Sequence, residues 1–256
     1  MDEAERPVTA CLIIIGNEIL SGRTADANLP YLARALNGVG IRVMEARVVR
    51  DDERAIVEAI DACRAAHDYV FTTGGIGPTH DDITAASIAK AFGVKLVRDA
   101  RAVNLLTRHY AAADLNQARL KMAEVPEGSA LIDNPVSSAP GFRIGNVFVL
   151  PGVPSILRAM VDGLVVGLRG GDPVLSRTIS GFVTESAIAA PLSALQDAHP
   201  HVEIGSYPFA RSGRFGVSLV VRSTDRTALD AAAGAVAAML RGSGIEPIQE
   251  DDAANS

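Results

Sequence analysis

The stretch Tyr69-Val70-Phe71-Thr72-Thr73-Gly74-Gly75-Ile76-Gly77-Pro78-Thr79-His80-Asp81-Asp82-Ile83-Thr84 constrains this 256-residue chain more than any other. An apolar run stops at Phe71, three glycines fall within four positions, and a proline and paired carboxylates precede a helical pattern. That order reads as a strand end, a glycine loop and a helix start. Glycine tolerates positive φ and lets a ligand touch the backbone. Amides freed in such a loop, with a helix N-terminus behind them, receive a phosphate-like anion. Asp81 and Asp82 stand where that anion would lie. Two carboxylates repel a phosphate unless a divalent cation lies between, or unless one of them is a base aimed at an attacking group. A tight turn with Asp as helix cap is the plainer alternative, but three glycines and two acids exceed what a cap needs.

Strand and helix alternate around this loop. Residues 8–15 form a near-continuous apolar run, the pattern of a strand buried on both faces of a parallel sheet. Gly16-Asn17-Glu18-Ile19-Leu20-Ser21-Gly22 follows, and Asn28 is expected to cap a helix with Leu29, Leu32, Ala33 and Leu36 on one face. Residues 41–49 read as the next strand, and Asp51 and Asp52 open a helix with Ile56, Ala59, Ile60 and Cys63 inward. Beyond the glycine loop, Ala85, Ile88, Ala89 and Phe92 carry a helix that Gly93 stops. The alternation predicts an α/β fold, a mostly parallel sheet with helices on both faces.

The middle is less regular. Asp99 is expected to cap a helix through Tyr110, residues 115–122 a second helix, and Val125-Pro126-Glu127-Gly128 a turn. Short strands are expected near 130–132, 141–144 and 147–150, with a hairpin turn at Asn146. Pro151-Gly152-Val153-Pro154 launches a helix carrying Leu157, Met160, Val161 and Leu164 on one side. Glycines and a proline over 167–173 mark a linker, giving domains 1–169 and 170–256. The second reads strand 174–183, helix 184–198, strands 202–207 and 215–222, helix 225–240 and strand 245–248. That β-α-β-β-α-β order is a small α+β split-βαβ domain. Residues 250–256 read as a frayed tail.

The net charge of -6 and pI near 5.4 argue against a general nucleic-acid binder. Cys11 and Cys63, the only cysteines, lie in apolar patterns, which fits a reducing cytoplasm without a disulfide framework. Residues 1–7 lack the order of a signal peptide, and no apolar run nears the roughly 20 residues of a membrane span. The expected address is therefore cytoplasmic, with no membrane partner.

Glu18, Asp51 and Asp81/Asp82 each follow a predicted strand. Ligands of an open parallel sheet bind outside the C-terminal strand ends, so these loops are expected to converge on one crevice. A ring of carboxylates there suits Mg²⁺ or another hard divalent ion. Each acid has a plainer reading: Asp51 as N-cap, Glu18 as a solvated loop charge, and Asp82 as a residue of the helix start, which favours Asp81 as the orienting acid. His80 is a base or a surface histidine. Lys121 and Arg143 are candidates to balance phosphate charge, and Pro151-Gly152-Val153-Pro154 is a second anion nest or a turn with proline near N1.

Gly16-Asn17-Glu18-Ile19-Leu20-Ser21-Gly22 with Asn28, and the stretch from Thr72 to Thr84, resemble the molybdenum-cofactor biosynthesis (molybdopterin-binding) domain family. Its competence/damage-inducible protein A (CinA) N-terminal type is also resembled by Asn134-Pro135, Ala139-Pro140-Gly141-Phe142 and Leu150-Pro151-Gly152-Val153-Pro154. The resemblance covers about residues 8–168. Glu185-Ser186, Pro200 and Ile204-Gly205-Ser206-Tyr207-Pro208 resemble the small KH-like domain that follows in CinA proteins.

The resemblance implies a three-layer α/β sandwich whose glycine loop holds the phosphate of a pterin (molybdopterin) or nucleotide. It places ligand-binding roles on Thr73, Gly74, Gly75, Gly77, Pro78, Thr79, Asp81, Thr84, Asn134, Ser138, Pro151, Gly152 and Pro154. Asp51 and Asp82 stand where molybdopterin adenylyltransferases place functional aspartates, so these two are the catalytic candidates. With Glu18 they are the candidate ligands of Mg²⁺, Co²⁺ or Mn²⁺. CinA-type domains are associated with metal-dependent ADP-ribose hydrolysis, and related domains occur in eukaryotic FAD synthetases. A nicotinamide-mononucleotide deamidase domain follows in full-length CinA; this sequence stops before it, so deamidation is not expected. Family members commonly self-associate, so a homo-oligomer is expected. Asn17, Ile76, Ser137-Ser138 and Ile156 depart from the family pattern, and two of these changes remove a carboxylate. The readings carried forward are a metal-dependent ADP-ribose-type pyrophosphatase, a non-catalytic pterin or nucleotide binder and, last, an adenylyltransferase, against which Asp81 weighs because a basic residue is expected there.

Overall fold

The computed structural model describes residues 6–211 and 213–250. The chain divides into two compact units, Met1–Gly171 and Asp172–Ser256. In chain order the first holds β1 (Val8–Ile15), α1 (Asn17–Leu20), α2 (Asn28–Gly38), β2 (Ile41–Val49), α3 (Glu53–Ala66), β3 (Tyr69–Thr73) and α4 (Thr84–Ala91). There follow β4 (Leu96–Arg98), α5 (Ala100–His109), α6 (Gln117–Lys121), β5 (Glu124–Pro126), β6 (Ala130–Ile132), β7 (Gly141–Ile144), β8 (Val147–Leu150) and α7 (Pro154–Leu164).

Six strands form one sheet in the order β2-β1-β3-β8-β7-β6. The first four run parallel, and β7 and β6 continue antiparallel through the hairpin turn at Gly145 and Asn146. β1 sits between two parallel neighbours and is buried from Ala10 onward, as its unbroken apolar run requires. Its side chains alternate between two cores. Cys11, Ile13 and Ile15 pack with Ile56, Ile60 and Ile88 of α3 and α4; Ala10 and Leu12 pack with Leu32, Leu36, Leu157 and Val161 of α2 and α7. This is the expected layered α/β arrangement. On the α2/α7 side the rings of Phe71 and Phe148 stack at 5.0 Å between adjacent strands β3 and β8. β2, an edge strand, alternates exposed and half-buried residues after the buried Ile41. The chain leaves β1 for β2 on one side and returns as β3 on the other. The C-terminal ends of β1 and β3 thus flank a topological switch point.

Three local expectations give way. Leu96–Arg98 and Glu124–Pro126 pair antiparallel as a separate two-stranded sheet, so Val125 and Pro126 are strand residues instead of a turn. Strands of three residues leave too little alternation to read, and Pro126 is tolerated at an edge. Asn28 does not cap α2. The Asp26 carboxylate accepts from the Asn28 and Leu29 amides at 3.4 and 2.8 Å, which leaves the Asn28 side chain free to turn inward. The helix expected over 115–122 shrinks to Gln117–Lys121, capped by Asn116.

The second unit holds β9 (Leu175–Gly181), α8 (Glu185–Ala198), β10 (Glu203–Arg211), β11 (Arg214–Ser223), α9 (Arg226–Gly242) and β12 (Ile248–Glu250). Its antiparallel sheet runs β10-β11-β9-β12. The first strand thus pairs with the third and the last, as a split-βαβ domain requires. α8 and α9 bury Ile188, Leu229, Val236 and Leu240 against Ile179, Val217, Leu219 and Val221. The last strand starts at Ile248, three residues later than the apolar pattern puts it.

Candidate functional site

At the switch point an open crevice of about 600 Å³ runs between the loops after β1, β2, β3 and β8. Glu18, Asp51, Gly74, Gly75, Gly77, Pro78, Asp81, Asp82, Asn134, Pro151 and Gly152 all line it.

The glycine loop forms its floor. Gly74 and Gly75 hold φ of +100° and +69°, the left-handed region. A Cβ on Gly74 would lie 2.2 Å from the Ile15 carbonyl oxygen, and one on Gly75 2.1 Å from Thr84 Oγ1. Glycine is therefore dictated by both dihedral angle and space. The Gly74 amide continues the sheet ladder by donating to Leu150 O at 3.1 Å. The amides of Gly75, Ile76 and Gly77 donate to nothing among the described residues. Three successive unpaired N–H groups beside a crevice form an anion nest.

The carboxylates sit around this nest. Asp51 Oδ2 accepts from the Asn17 amide at 2.8 Å and so stands at the start of α1. The capping role belongs to its neighbour: Asp52 accepts from the Ala55 amide and caps α3. Glu18 folds back over Gly16, so closely that a Cβ there would lie 2.5 Å from Glu18 Oε1. Asp82 Oδ2 accepts from the Thr79 amide at 2.8 Å and lies 2.5 Å from Thr79 Oγ1, while Asp81 Oδ1 lies 2.6 Å from the same hydroxyl. A hydroxyl has one proton, so only one of the two carboxylates receives it. Hydrogen bonding from Thr79, then from its own backbone amide, holds Asp81 below the usual carboxylate range, with smaller contributions from His80 and Lys121. Glu18, Asp51 and Asp82 share the crevice, yet among the described residues no three acidic oxygens there lie mutually within 4.8 Å. The donors are hard oxygens in an open array, one that needs further ligands to complete a coordination sphere.

Several predicted ligand residues build the cup without facing it. Thr73 and Thr84 are buried, and Thr84 Oγ1 donates to Gly74 O at 3.0 Å. Thr79 serves Asp81 and Asp82. Pro154 is the first residue of α7, where a missing N–H goes unnoticed. Ser138 is off the crevice: its backbone is left-handed at φ +57° and its hydroxyl lies 3.4 Å from His109 Nδ1, while Ser137 takes the lining position. Asn134 satisfies its own loop, accepting from the Val136 and Ser137 amides and donating to Ser137 Oγ and Ala139 O. Arg143 lies elsewhere, donating to Gly145 O and resting on the Phe148 ring. Lys121 donates to the Thr79 carbonyl at the loop, and His80 is exposed outside the lining.

The opposite wall carries no motif in the sequence. Tyr110, Arg119 and Met122, from α5, α6 and their flanks, line the crevice, and the Arg119 guanidinium lies 4.2 Å over the Tyr110 ring. Ile76 and Ile156, two of the departures, line it as well, so one expected carboxylate is replaced by an apolar contact. Asn28, expected as a helix cap, is instead buried, and its Nδ2 donates at 2.8 Å to Gly152 O, bracing the Pro151-Gly152 lip.

Comparison with known proteins follows this division. The family described as "Probable molybdopterin binding domain" matches residues 11–175, and that described as "FAD synthase, middle domain" matches residues 173–249. An Archaeoglobus fulgidus protein is 36% identical over 77% of this chain and 84% of its own length. A CinA-like protein of Syntrophus aciditrophicus is 38% identical over 77% of this chain, which spans 50% of that relative. The crystal structure of Thermoplasma acidophilum CinA, described as of unknown function, superposes with a TM-score of 0.59 at 38% identity, over 62% of this chain and 96% of that one. Sequence, layered sheet and glycine loop agree: the chain belongs to the molybdopterin-binding domain family, and CinA-like proteins are among its relatives.

Proposed function

We propose that the crevice binds a phosphorylated nucleotide or pterin and hydrolyses the phosphoanhydride of an ADP-ribose-like dinucleotide. The observation that carries this reading is the coincidence of three unpaired amides, at Gly75, Ile76 and Gly77, with Glu18, Asp51 and Asp82 on one crevice. The nest holds and orients a phosphate. Tyr110 and Arg119 offer a flat cationic surface to the rest of the ligand. Asp51, Asp82 and Glu18 would hold a divalent cation whose coordination the ligand's phosphates complete, and that cation would offset phosphate charge and acidify a bound water.

The test is AMP release from ADP-ribose, FAD, NAD and ATP with Mg²⁺, Mn²⁺ or Co²⁺, alongside calorimetric binding. ADP-ribose turnover that depends on the metal is expected. Asp51→Asn is expected to lower it by about 100-fold or more, beyond the 10–100-fold typical of residues outside the coordination sphere. Wild-type rates in both Asp51→Asn and Asp82→Asn would refute the assignment.

A second reading, a non-catalytic binder, draws on a different observation. Asp51 and Asp82 each use one oxygen to fix a backbone amide at 2.8 Å, which is also what loop-shaping residues do. Ligand binding without AMP release under any of the three metals would select it.

A further inference from the structure

A second group of metal-ligating side chains lies away from the crevice. Cys11 is in the middle of β1, four residues before Ile15, or about 13 Å along the strand at ~3.3 Å per residue. Glu45 is its register partner on β2, Cys63 comes from α3, and His67 caps the C-terminus of that helix. The Cys11 and Cys63 sulfurs are 2.9 Å apart and fully buried. His67 Nε2 lies 3.4 Å from Glu45 Oε2, and His67 Nδ1 is buried with no partner. Ligand atoms of Cys11, Glu45 and His67 all lie within 4.8 Å of one another.

We propose that Cys11, Cys63, His67 and Glu45 form a four-coordinate structural site for Zn²⁺. Two sulfurs, an imidazole and a carboxylate are the donors this borderline-soft ion takes in tetrahedral sites. Bond lengths of about 2.3 Å to sulfur and 2.0 Å to nitrogen or oxygen put tetrahedral ligands roughly 3.3–3.8 Å apart. Cys11, Glu45 and His67 already lie within 4.8 Å of one another, and Cys63, 2.9 Å from Cys11, has to draw closer to Glu45 and His67 to complete the sphere. Binding releases the two thiol protons to solvent and leaves two thiolates, a neutral imidazole and a carboxylate around the ion. That sphere carries one net negative charge. Arg47 faces it, donating from Nε to Glu45 Oε1 at 2.6 Å, which balances the charge and aims Oε2 at His67. Glu45 and Arg47 are 37% and 35% exposed, so the ion reaches the sulfurs from the β2 edge. The bound ion would tie β1, β2 and α3 together. No C-x-x-C spacing announces the site, because its ligands come from three elements, with Cys63 and His67 four residues apart at the end of α3.

Cobalt is the probe. The full chain, reduced and stripped with chelator, is titrated with Co²⁺ and followed by absorbance. One cobalt per chain is expected, with a thiolate-to-metal charge-transfer band and the d–d bands of a tetrahedral ion, all removed by Zn²⁺. Cys11 and Cys63 are the only cysteines, so a thiolate band belongs to them. Glu45→Gln, at a half-exposed position, is expected to weaken cobalt binding by at least about tenfold. Cys63→Ser is expected to diminish the charge-transfer band. Asp51→Asn and Asp82→Asn are expected to leave the spectrum unchanged, which separates this site from the crevice. Absence of the band in the reduced wild-type chain, or an unchanged affinity in Glu45→Gln, would overturn the proposal even where Cys63→Ser fails to fold.

Discussion

Replacing Gly75 with alanine tests whether the cup is dictated by backbone geometry. At φ +69° an L-residue carries a penalty of about 1–2 kcal/mol. The new Cβ would also lie 2.1 Å from Thr84 Oγ1, so the hydroxyl must leave the Gly74 carbonyl, its partner at 3.0 Å. Thr84 is fully buried, and abandoning a buried acceptor costs about 1–3 kcal/mol. Together these give about 2–5 kcal/mol for Gly75→Ala. Thr84→Ala alone should cost about 1–3 kcal/mol for the same lost bond. In the double variant the bond is already gone and the collision is relieved, leaving a Cβ–Cβ approach of 3.2 Å that a shift of a few tenths of an ångström absorbs. Gly75→Ala in that background should cost only the dihedral penalty, about 1–2 kcal/mol.

The expected coupling is therefore about 1–3 kcal/mol, with the double variant more stable than the sum of the singles. Guanidinium titration followed by far-ultraviolet circular dichroism reads it; the chain has no tryptophan to report by fluorescence. Strict additivity, or a Gly75→Ala cost below about 0.5 kcal/mol, would show that the loop relaxes freely and that its glycines are not dictated as argued.

Two further substitutions probe the frame of the site. Asn28→Ala removes the donor to Gly152 O and should cost about 1–2 kcal/mol in thermal or denaturant melts; ligand affinity measured by calorimetry should fall with it, and unchanged affinity would show that the Pro151-Gly152 lip takes no part in binding. Asp99, the cap of α5, is held down to about 2, first by its hydrogen bond with Arg101. Its folded pKa lies below the unfolded value, so its stabilisation is complete above the ordinary carboxylate pKa and is lost as pH falls from about 4 to about 2. Solvent screening of this surface pair reduces the effect to about 1 kcal/mol. Asp99→Asn keeps a capping side chain and should flatten that acid limb in melts between pH 5 and 2; an unchanged slope would remove Asp99 from the account.

The main strands were readable because β1 is a near-continuous apolar run, β3 opens on one, and β6 to β8 are separated by turn residues, patterns that burial imposes directly. Convergence of Glu18, Asp51 and Asp82 was readable for the same reason, since each follows a strand of one parallel sheet. Contacts set by packing at long range were not. The Asp51 bond to the Asn17 amide spans 34 residues, and that of Asn28 to Gly152 spans 124. Neither leaves a periodic trace. Tyr110 and Arg119 reach the crevice only because α5 and α6 fold back beside the glycine loop. Their types and spacing would look the same on any surface helix. Cys11 and Cys63 read as core residues and are core residues; strand register sets Cys11 beside Glu45, and the packing of α3 brings Cys63 to Cys11.

The charge distribution of the crevice limits how a phosphate can occupy it. A hydrogen bond to a charged group contributes about 1.5–3 kcal/mol, so three amides give roughly 4.5–9 kcal/mol. A phosphate charge about 5 Å from a carboxylate, at an effective dielectric constant near 20, is opposed by about 3 kcal/mol for each pair. Glu18, Asp51, Asp81 and Asp82 all line the crevice, so two or three such pairs nearly cancel the nest. The nearby cations are already engaged: Lys121 donates to the Thr79 carbonyl, and Arg119 to the Asp114 carbonyl at 2.6 Å. Without another positive charge the affinity for a phosphorylated ligand should be weak. Both readings of the site, hydrolase and binder, therefore require that divalent cations strengthen binding. The two diverge only at bond cleavage. Ligand affinity that is strong in chelator and indifferent to Mg²⁺ or Mn²⁺ would show that the carboxylates face away from the bound phosphate, and both readings would fail together.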